Sequence, residues 1–192
     1  MKYDNEEDYC FLVNLFEETN RVFLKNDNEL FYWNVSERTL CGALKRRLEN
    51  KKWRTRISNY IVDVEFNRNA GEIKTIVDRD LKIVSITCDL ILHSRGKIKE
   101  QDNLIALEMK KSDRNLEDKS KDRDRLIALT KSSYNDVWST DGKTLPEHVC
   151  RYILGIYYEI DLARQIILLE YYRKGKLVSS KEMEFNSTKI HR

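Results

Sequence analysis

The feature that most constrains this chain is a change of apolar period near residue 57. Before it, hydrophobic residues recur at helical spacing; after it they alternate, so a helical start must pack on a sheet built from the rest. Leu12, Leu15, Phe16, Val22 and Phe23 predict a helix over residues 5–25. Ser36 can cap a second helix over roughly 37–50, with Leu40, Leu44 and Leu48 on one stripe. Glu37 shares or borders that stripe, where a carboxylate needs a partner.

Beyond residue 57, YIVDVEF (60–66) sets Ile61, Asp63 and Glu65 on one face and Tyr60, Val62, Val64 and Phe66 on the other. A long β-rich run follows at 80–93, bent or bulged somewhere, then a strand at 102–110 and a helix at about 117–131. Three further β-rich segments cover 149–160, 163–172 and 176–185. The order α-α-β-β-β-α-β-β-β, with no internal repeat and no linker, predicts one α+β or mixed α/β domain over residues 1–192. A helical extension occupies 1–33, a core 34–160 and a β-rich segment 161–192.

Composition excludes several classes. Only 6 Gly and 1 Pro in 192 residues rule out collagen-like or loop-dominated folds. Charged residues reach 35%, yet 41% hydrophobic residues leave enough apolar surface for a packed core. The net charge of +3 excludes a uniformly basic coat, so any anion-binding surface must be local. Residues 1–20 carry a net −5, and residues 45–56 (KRRLENKKWRTR) a net +6. The basic run reads either as a solvated helix end or as a phosphate-contacting patch.

Cys10, Cys41, Cys88 and Cys150 lie too far apart for a zinc or redox pair and read as reduced core thiols, which implies a reducing compartment. His93, His148 and His191 are dispersed, and no nucleotide-phosphate loop of the glycine-rich types occurs. Without a signal-like start or a membrane-length apolar run, a cytoplasmic protein is expected, with no membrane partner.

The chemistry concentrates on two strands. Asp89 stands inside an apolar run, ITCDLILH, where an acid is rare unless paired or metal-bound. Nineteen residues later Glu108 and Lys110 emerge side by side from the end of the strand NLIALEMK. Two carboxylates and an ammonium on neighbouring strands make a hard-oxygen site suited to Mg²⁺, with Mn²⁺ able to substitute. Lys110 would neutralise the carboxylates, or assist the attacking water or the phosphate once a metal is bound. The bland reading of Glu108 and Lys110 is a cross-strand salt-bridged edge. Arg68 ends its strand, where it could touch substrate phosphate, and Glu65 either joins the metal shell or receives Arg68. Tyr134, Tyr152 and Tyr157 read as packing against the sheet.

The pattern D-(x)n-E-x-K on consecutive strands resembles the PD-(D/E)xK nucleases, the restriction-endonuclease-like superfamily. The resemblance spans roughly residues 34–158, through NVSERTL, VDVEFNR, CDLILHSRG, NLIALEMKKSD, DRDRLIAL and RYILGIYYEI. It implies a three-layer core with a central mixed sheet flanked by helices, and Mg²⁺-dependent hydrolysis of nucleic acid. Asp89, Glu108, Lys110 and the helical Glu37 are then the catalytic set, with Asp89, Glu108, Glu37 and the carbonyl of Met109 on the metal. His93 and Arg95 fall near that site, and Lys111 and Arg125 join Arg68 and Glu65 as substrate-facing groups. Two positions depart from the pattern: Cys88 stands where proline precedes the aspartate, and Arg125 replaces a lysine in the D-x-x-K-L stretch, keeping its charge. Restriction, mobile-element and anti-phage settings go with such enzymes, as does a homodimer or a partner chain that supplies specificity. DNA is the expected substrate. An RNA-directed nuclease and a non-catalytic partner subunit on the same fold are the alternatives.

Overall fold

Asn5 accepts the Glu7 N–H at 2.9 Å and starts helix α1 (Glu6–Asn26), whose first turn is acidic, as the helix dipole favours. The computed structural model describes residues 1–69, 72–73, 75–77, 83–85, 87–132 and 150–186, with backbone alone over 68–85. Leu12, Leu15, Phe16 and Phe23 of α1 are buried as their spacing predicts, but Val22 turns outward. A short helix α2 (Asn28–Tyr32), which no apolar period announced, follows at once. Its Phe31 fixes it, with ring centroids 5.2 Å from Phe23 and 4.9 Å from Phe185. Ser36 then caps α3 (Glu37–Lys52), accepting the Thr39 N–H at 3.2 Å, and Leu40, Leu44 and Leu48 are fully buried.

The strands follow as β1 (Ile61–Phe66), two small hairpins of β2 (Arg68–Asn69) with β3 (Glu72–Ile73) and β4 (Thr75–Val77) with β5 (Ile83–Ser85), then β6 (Cys88–His93) and β7 (Asn103–Lys111). The run at 80–93 is thus split between β5 and β6. Helix α4 (Leu116–Thr130), capped by Asn115, precedes β8 (Leu154–Asp161), β9 (Ile166–Arg173) and β10 (Lys176–Glu184). One six-stranded sheet runs β1-β6-β7-β8-β9-β10, and the C-terminal strands continue it. All neighbours are antiparallel except β7 and β8, which run parallel and therefore need a crossover, in which α4 lies.

The protein is a mixed α+β fold. Helices α1 and α3 cover one sheet face over Val62, Leu90, Leu92, Leu107 and Met109. Helix α4 covers the other over Ile91, Ala106, Tyr157 and Tyr172. Tyr152 and Tyr157 are buried, whereas Tyr134, His148, His191 and the Arg68 side chain lie outside the described residues. Among the described residues no helix is long and apolar enough to cross a membrane. Cys41, Cys88 and Cys150 are buried thiols, but Cys10 is exposed, because it falls on the solvent side of α1.

The segregated charges of the sequence meet each other. Arg46 and Arg47 both hold Asp27 at 2.7 Å, Lys51 holds Glu18 at 2.6 Å, and Arg56 reaches Asp8 at 2.9 Å. Lys45 pairs with Asp63 and Lys52 with Glu49. The basic run is therefore largely engaged with carboxylates, Lys51 and Arg56 reaching α1 and Arg46 and Arg47 the turn after it.

Helix α4 packs closely on β8 at Gly155. A Cβ there would stand 2.9 Å from Thr130 Cγ2 and 3.1 Å from Tyr172 Cβ. Thr130 is held in place, since its hydroxyl donates to the Leu126 carbonyl and accepts the Gly175 N–H. Gly155→Ala is expected to destabilise the fold by about 1–3 kcal/mol through overpacking, read as a lower urea midpoint. An unchanged midpoint would contradict this packing.

Candidate active site

The pairing of β6 with β7 runs from His93↔Asn103 to Leu90↔Leu107 and goes no further. Strand β7 continues to Lys111 beside β8, so its β6-side edge is vacated over the last four residues. Residues two apart in a strand point their N–H groups to the same side, so Met109 and Lys111 would both be left without partners there. Two carboxylates take them. Asp89 Oδ2 accepts the Met109 N–H at 2.7 Å, and Glu37 Oε1 accepts the Lys111 N–H at 2.9 Å. The N–H and C=O of one strand residue face the same way, so the Met109 carbonyl also faces this edge. Glu37 reaches it because Ser36 starts α3 one residue earlier, and Arg114 Nε adds a 3.3 Å contact to the same oxygen.

On the α4 face of β7, Glu108 is 1% exposed. Arg125 Nε stands 3.1 Å from Glu108 Oε1, yet neither atom has a hydrogen-bond partner. Lys110 Nζ lies 2.9 Å from Asp122 Oδ2, and Asp122 also pairs with Arg125 one helical turn on. Burial pushes the Glu108 carboxyl well above its usual pKa, with Asp89 and Asp122 adding to the rise and Arg125 and Lys110 opposing it. Asp89 is raised by burial too, against the Met109 N–H. Burial would lower the Lys110 pKa, but Asp122, Asp89 and Glu37 raise it on balance. The Cys41 thiol is raised chiefly by burial and then by the negative charges of Asp89, Glu108, Glu37 and Glu65.

Of the groups expected at the site, Asp89, Glu108, Lys110, Glu37, Met109, Lys111 and Arg125 are brought together at the C-terminal end of β7. Arg125 faces carboxylates rather than open solvent. Lys111 reaches the loop before α3, donating to the Asn34 carbonyl at 3.2 Å and to its Oδ1 at 2.5 Å. Glu65, at φ 51°, pairs with Arg38 at 2.6 Å. His93 and Arg95 are not brought there. His93 is four residues along β6 from Asp89, roughly 13 Å at the rise of a strand. It bonds Asp63 at 3.0 Å, and Arg95 makes two 2.7 Å bonds to the same carboxylate, closing a network of their own. Period-two alternation could not show this, because it assigns faces and not which end of a strand lies beside which neighbour.

Sequence reasoning also missed Asp122 as the partner of Lys110, and Asn34, Arg38 and Arg114 at the rim. The available signal was the Asp122/Arg125 spacing on the buried stripe of α4 that carries Leu126 and Leu129.

Among the described residues no three His, Cys, Asp or Glu side chains converge as a ready metal cage. Mg²⁺ does not require one, since it binds through one or two carboxylates and completes its shell with water and phosphate. Asp89, Glu108 Oε1, which is ion-paired with Arg125 but accepts no hydrogen bond, and the Met109 carbonyl suit that demand. Comparison of the chain with protein-family models, with curated proteins and with solved structures gave no match.

The two acidic networks predict opposite pH behaviour. Because folding raises the Glu108 pKa, its charge opposes folding once pH exceeds the unfolded value near about 4.3. Glu108→Gln should therefore be more stable than wild type at pH 7, with the gap closing towards pH 4. Asp63 behaves inversely. Burial raises it, but the hydrogen bonds from Arg95 and His93 prevail and lower it to about 2. Its stabilisation is present above about pH 4 and lost as pH falls towards 2, so Asp63→Asn should cost up to about 2 kcal/mol at pH 7 and progressively less below pH 4. Urea titrations across pH 2–8 check both; parallel curves for wild type and variants would refute them.

Proposed function

We propose that the chain is a Mg²⁺-dependent nuclease of the PD-(D/E)xK, restriction-endonuclease-like kind, hydrolysing phosphodiester bonds of nucleic acid, with DNA as the substrate to test first. The observation that carries this reading is the cluster at the end of β7. Asp89 is a half-buried carboxylate bonded to the vacated strand edge, and Glu108 is a fully buried one on the adjoining face that carries Lys110; both have raised pKa values. Such an arrangement opposes stability, and opposed stability concentrates at sites built for chemistry. A bound divalent cation would supply Lewis-acid polarisation of the phosphate and an acidified water.

In this reading Asp89, Glu108 and the Met109 carbonyl hold the cation. Glu37 braces the end of β7 through the Lys111 N–H and stands ready at its border. Lys110 stays cationic, since Asp122 holds its pKa up, so it acts on the attacking water or the phosphate as a charge and donor. Arg125 balances Glu108 while no cation is bound. Three buried thiols support a reducing compartment, the cytoplasm being the natural one. Sequence preference would come from a second copy, with exposed β10 as the available edge, or from a partner chain.

One observation favours a second reading, a non-catalytic partner subunit. Lys110 and Arg125 already pair with Asp122 and Glu108, as in a purely structural network. Cleavage assays on matched DNA and RNA with Mg²⁺ or Mn²⁺ separate the two. Wild type should cut, and Lys110→Ala and Glu108→Ala should each lose at least about 100-fold. Calorimetry should find micromolar-to-millimolar Mn²⁺ binding that Asp89→Ala abolishes. Equal cleavage by wild type and variants, or no cleavage and no metal binding, would end the enzymatic assignment.

A further inference from the structure

Two tryptophans among the described residues are exposed, and they lie at opposite ends of α3. Trp53 ends that helix, roughly 24 Å from Glu37 at the rise of an α-helix. Trp33, 59% exposed, immediately precedes Asn34, whose carbonyl and side chain hold Lys111. Lys111 follows Lys110, so Trp33 stands at the border of the candidate site while Trp53 is remote from it. The local fold forces this exposure. Phe31 is buried between Phe23 and Phe185, which anchors the short α2 and turns Tyr32 and Trp33 towards solvent. Asn34, at φ 50°, then reverses the chain, its N–H donating to the Phe31 carbonyl.

The same border carries cations and a third apolar side chain. Arg38 is paired with Glu65 and Arg114 with Glu37, both through largely exposed guanidinium groups. Leu116, 82% exposed, begins α4 two residues after Arg114. Exposed ion pairs of this sort contribute little and re-partner readily. An exposed indole beside cations that can exchange a carboxylate for a phosphate has the chemistry of a base-stacking platform. A duplex keeps its bases stacked on each other, so only an unpaired strand offers a free base face to such a ring.

We propose that Trp33, with Tyr32 beside it and Arg38, Lys111 and Arg114 as phosphate contacts, binds single-stranded nucleic acid at the entrance to the β7 site. This rests on the nuclease reading for its purpose, but not for its test. Fluorescein-labelled oligo(dT), oligo(U) and a duplex of equal length are titrated with the full chain in EDTA, and anisotropy is recorded. Either single strand should bind more tightly than the duplex, and the two arms show whether deoxyribose or ribose is preferred. Trp33→Ala should weaken single-strand binding about 5- to 100-fold, Trp33→Phe should restore most of it, and Trp53→Ala should leave it within about 2-fold.

Equal binding by wild type and Trp33→Ala, preference for the duplex, or no oligonucleotide binding at all would overturn the proposal. So would a wild-type dimer in light scattering that Trp33→Ala dissolves, which would assign the patch to a second copy. Cleavage that needs Glu108 but not Trp33 would sink the platform and leave the nuclease reading standing. Trp33-dependent binding with no cleavage under Mg²⁺ or Mn²⁺ would do the reverse.

Discussion

The structure turns on one backbone constraint. Strand β6 leaves β7 after the Leu90↔Leu107 pair, and the N–H groups of Met109 and Lys111 face the gap. A buried donor without an acceptor costs about 1–3 kcal/mol, so each must be met. Asp89 and Glu37 meet them with carboxylates. Two negative charges are thereby fixed at the end of the sheet by an ordinary structural demand. Glu108 adds a third below them, and Lys110, Asp122 and Arg125 assemble around it because an isolated buried charge would cost more still. Local satisfaction of the backbone and concentration of chemistry are here one event.

Elsewhere the molecule spends its charge on itself. Lys45, Arg46, Arg47, Lys51, Lys52 and Arg56 of the basic run pair with Glu7, Asp8, Glu18, Asp27, Glu49 and Asp63. Most of these pairs are partly exposed and individually weak, but those to Glu7, Asp8, Glu18 and Asp27 tie α3 and its C-terminal end to α1 and the turn after it, above a shared apolar core. The small net charge is therefore achieved by contact between opposite segments, not by even mixing. Near the end of β7, the cations open to an anionic ligand are those of the rim around Arg38, Lys111 and Arg114, where the partners of Arg38 and Arg114 are replaceable.

Much of this was legible in the chain. The Leu40-Leu44-Leu48 stripe with Ser36 before it specified α3 almost to the residue, because capping and 3.6-residue periodicity are local properties. Asp89 and the E-x-K at the end of β7 were visible as polar interruptions of apolar strands. His93 and Arg95 were misplaced relative to that site because they lie at the far end of β6, where Asp63 claims both. Helix α2 was missed because five residues cannot display a period, and its stability comes from Phe31 packing between two distant rings.

The sequence by itself determined the order and kind of elements, the apolar faces and the strands that carry acid and ammonium groups. These follow from side-chain spacing within a few turns or residues. Only the tertiary structure decided where β6 parts from β7, that Asp122 and not a free phosphate faces Lys110, and that Trp33 rather than Trp53 borders the site. Those outcomes depend on which backbone groups lose their partners when strands diverge, and on contacts such as Glu37 with Lys111, 74 residues apart. No local pattern encodes such a meeting, because its energy exists only once both segments are already in place.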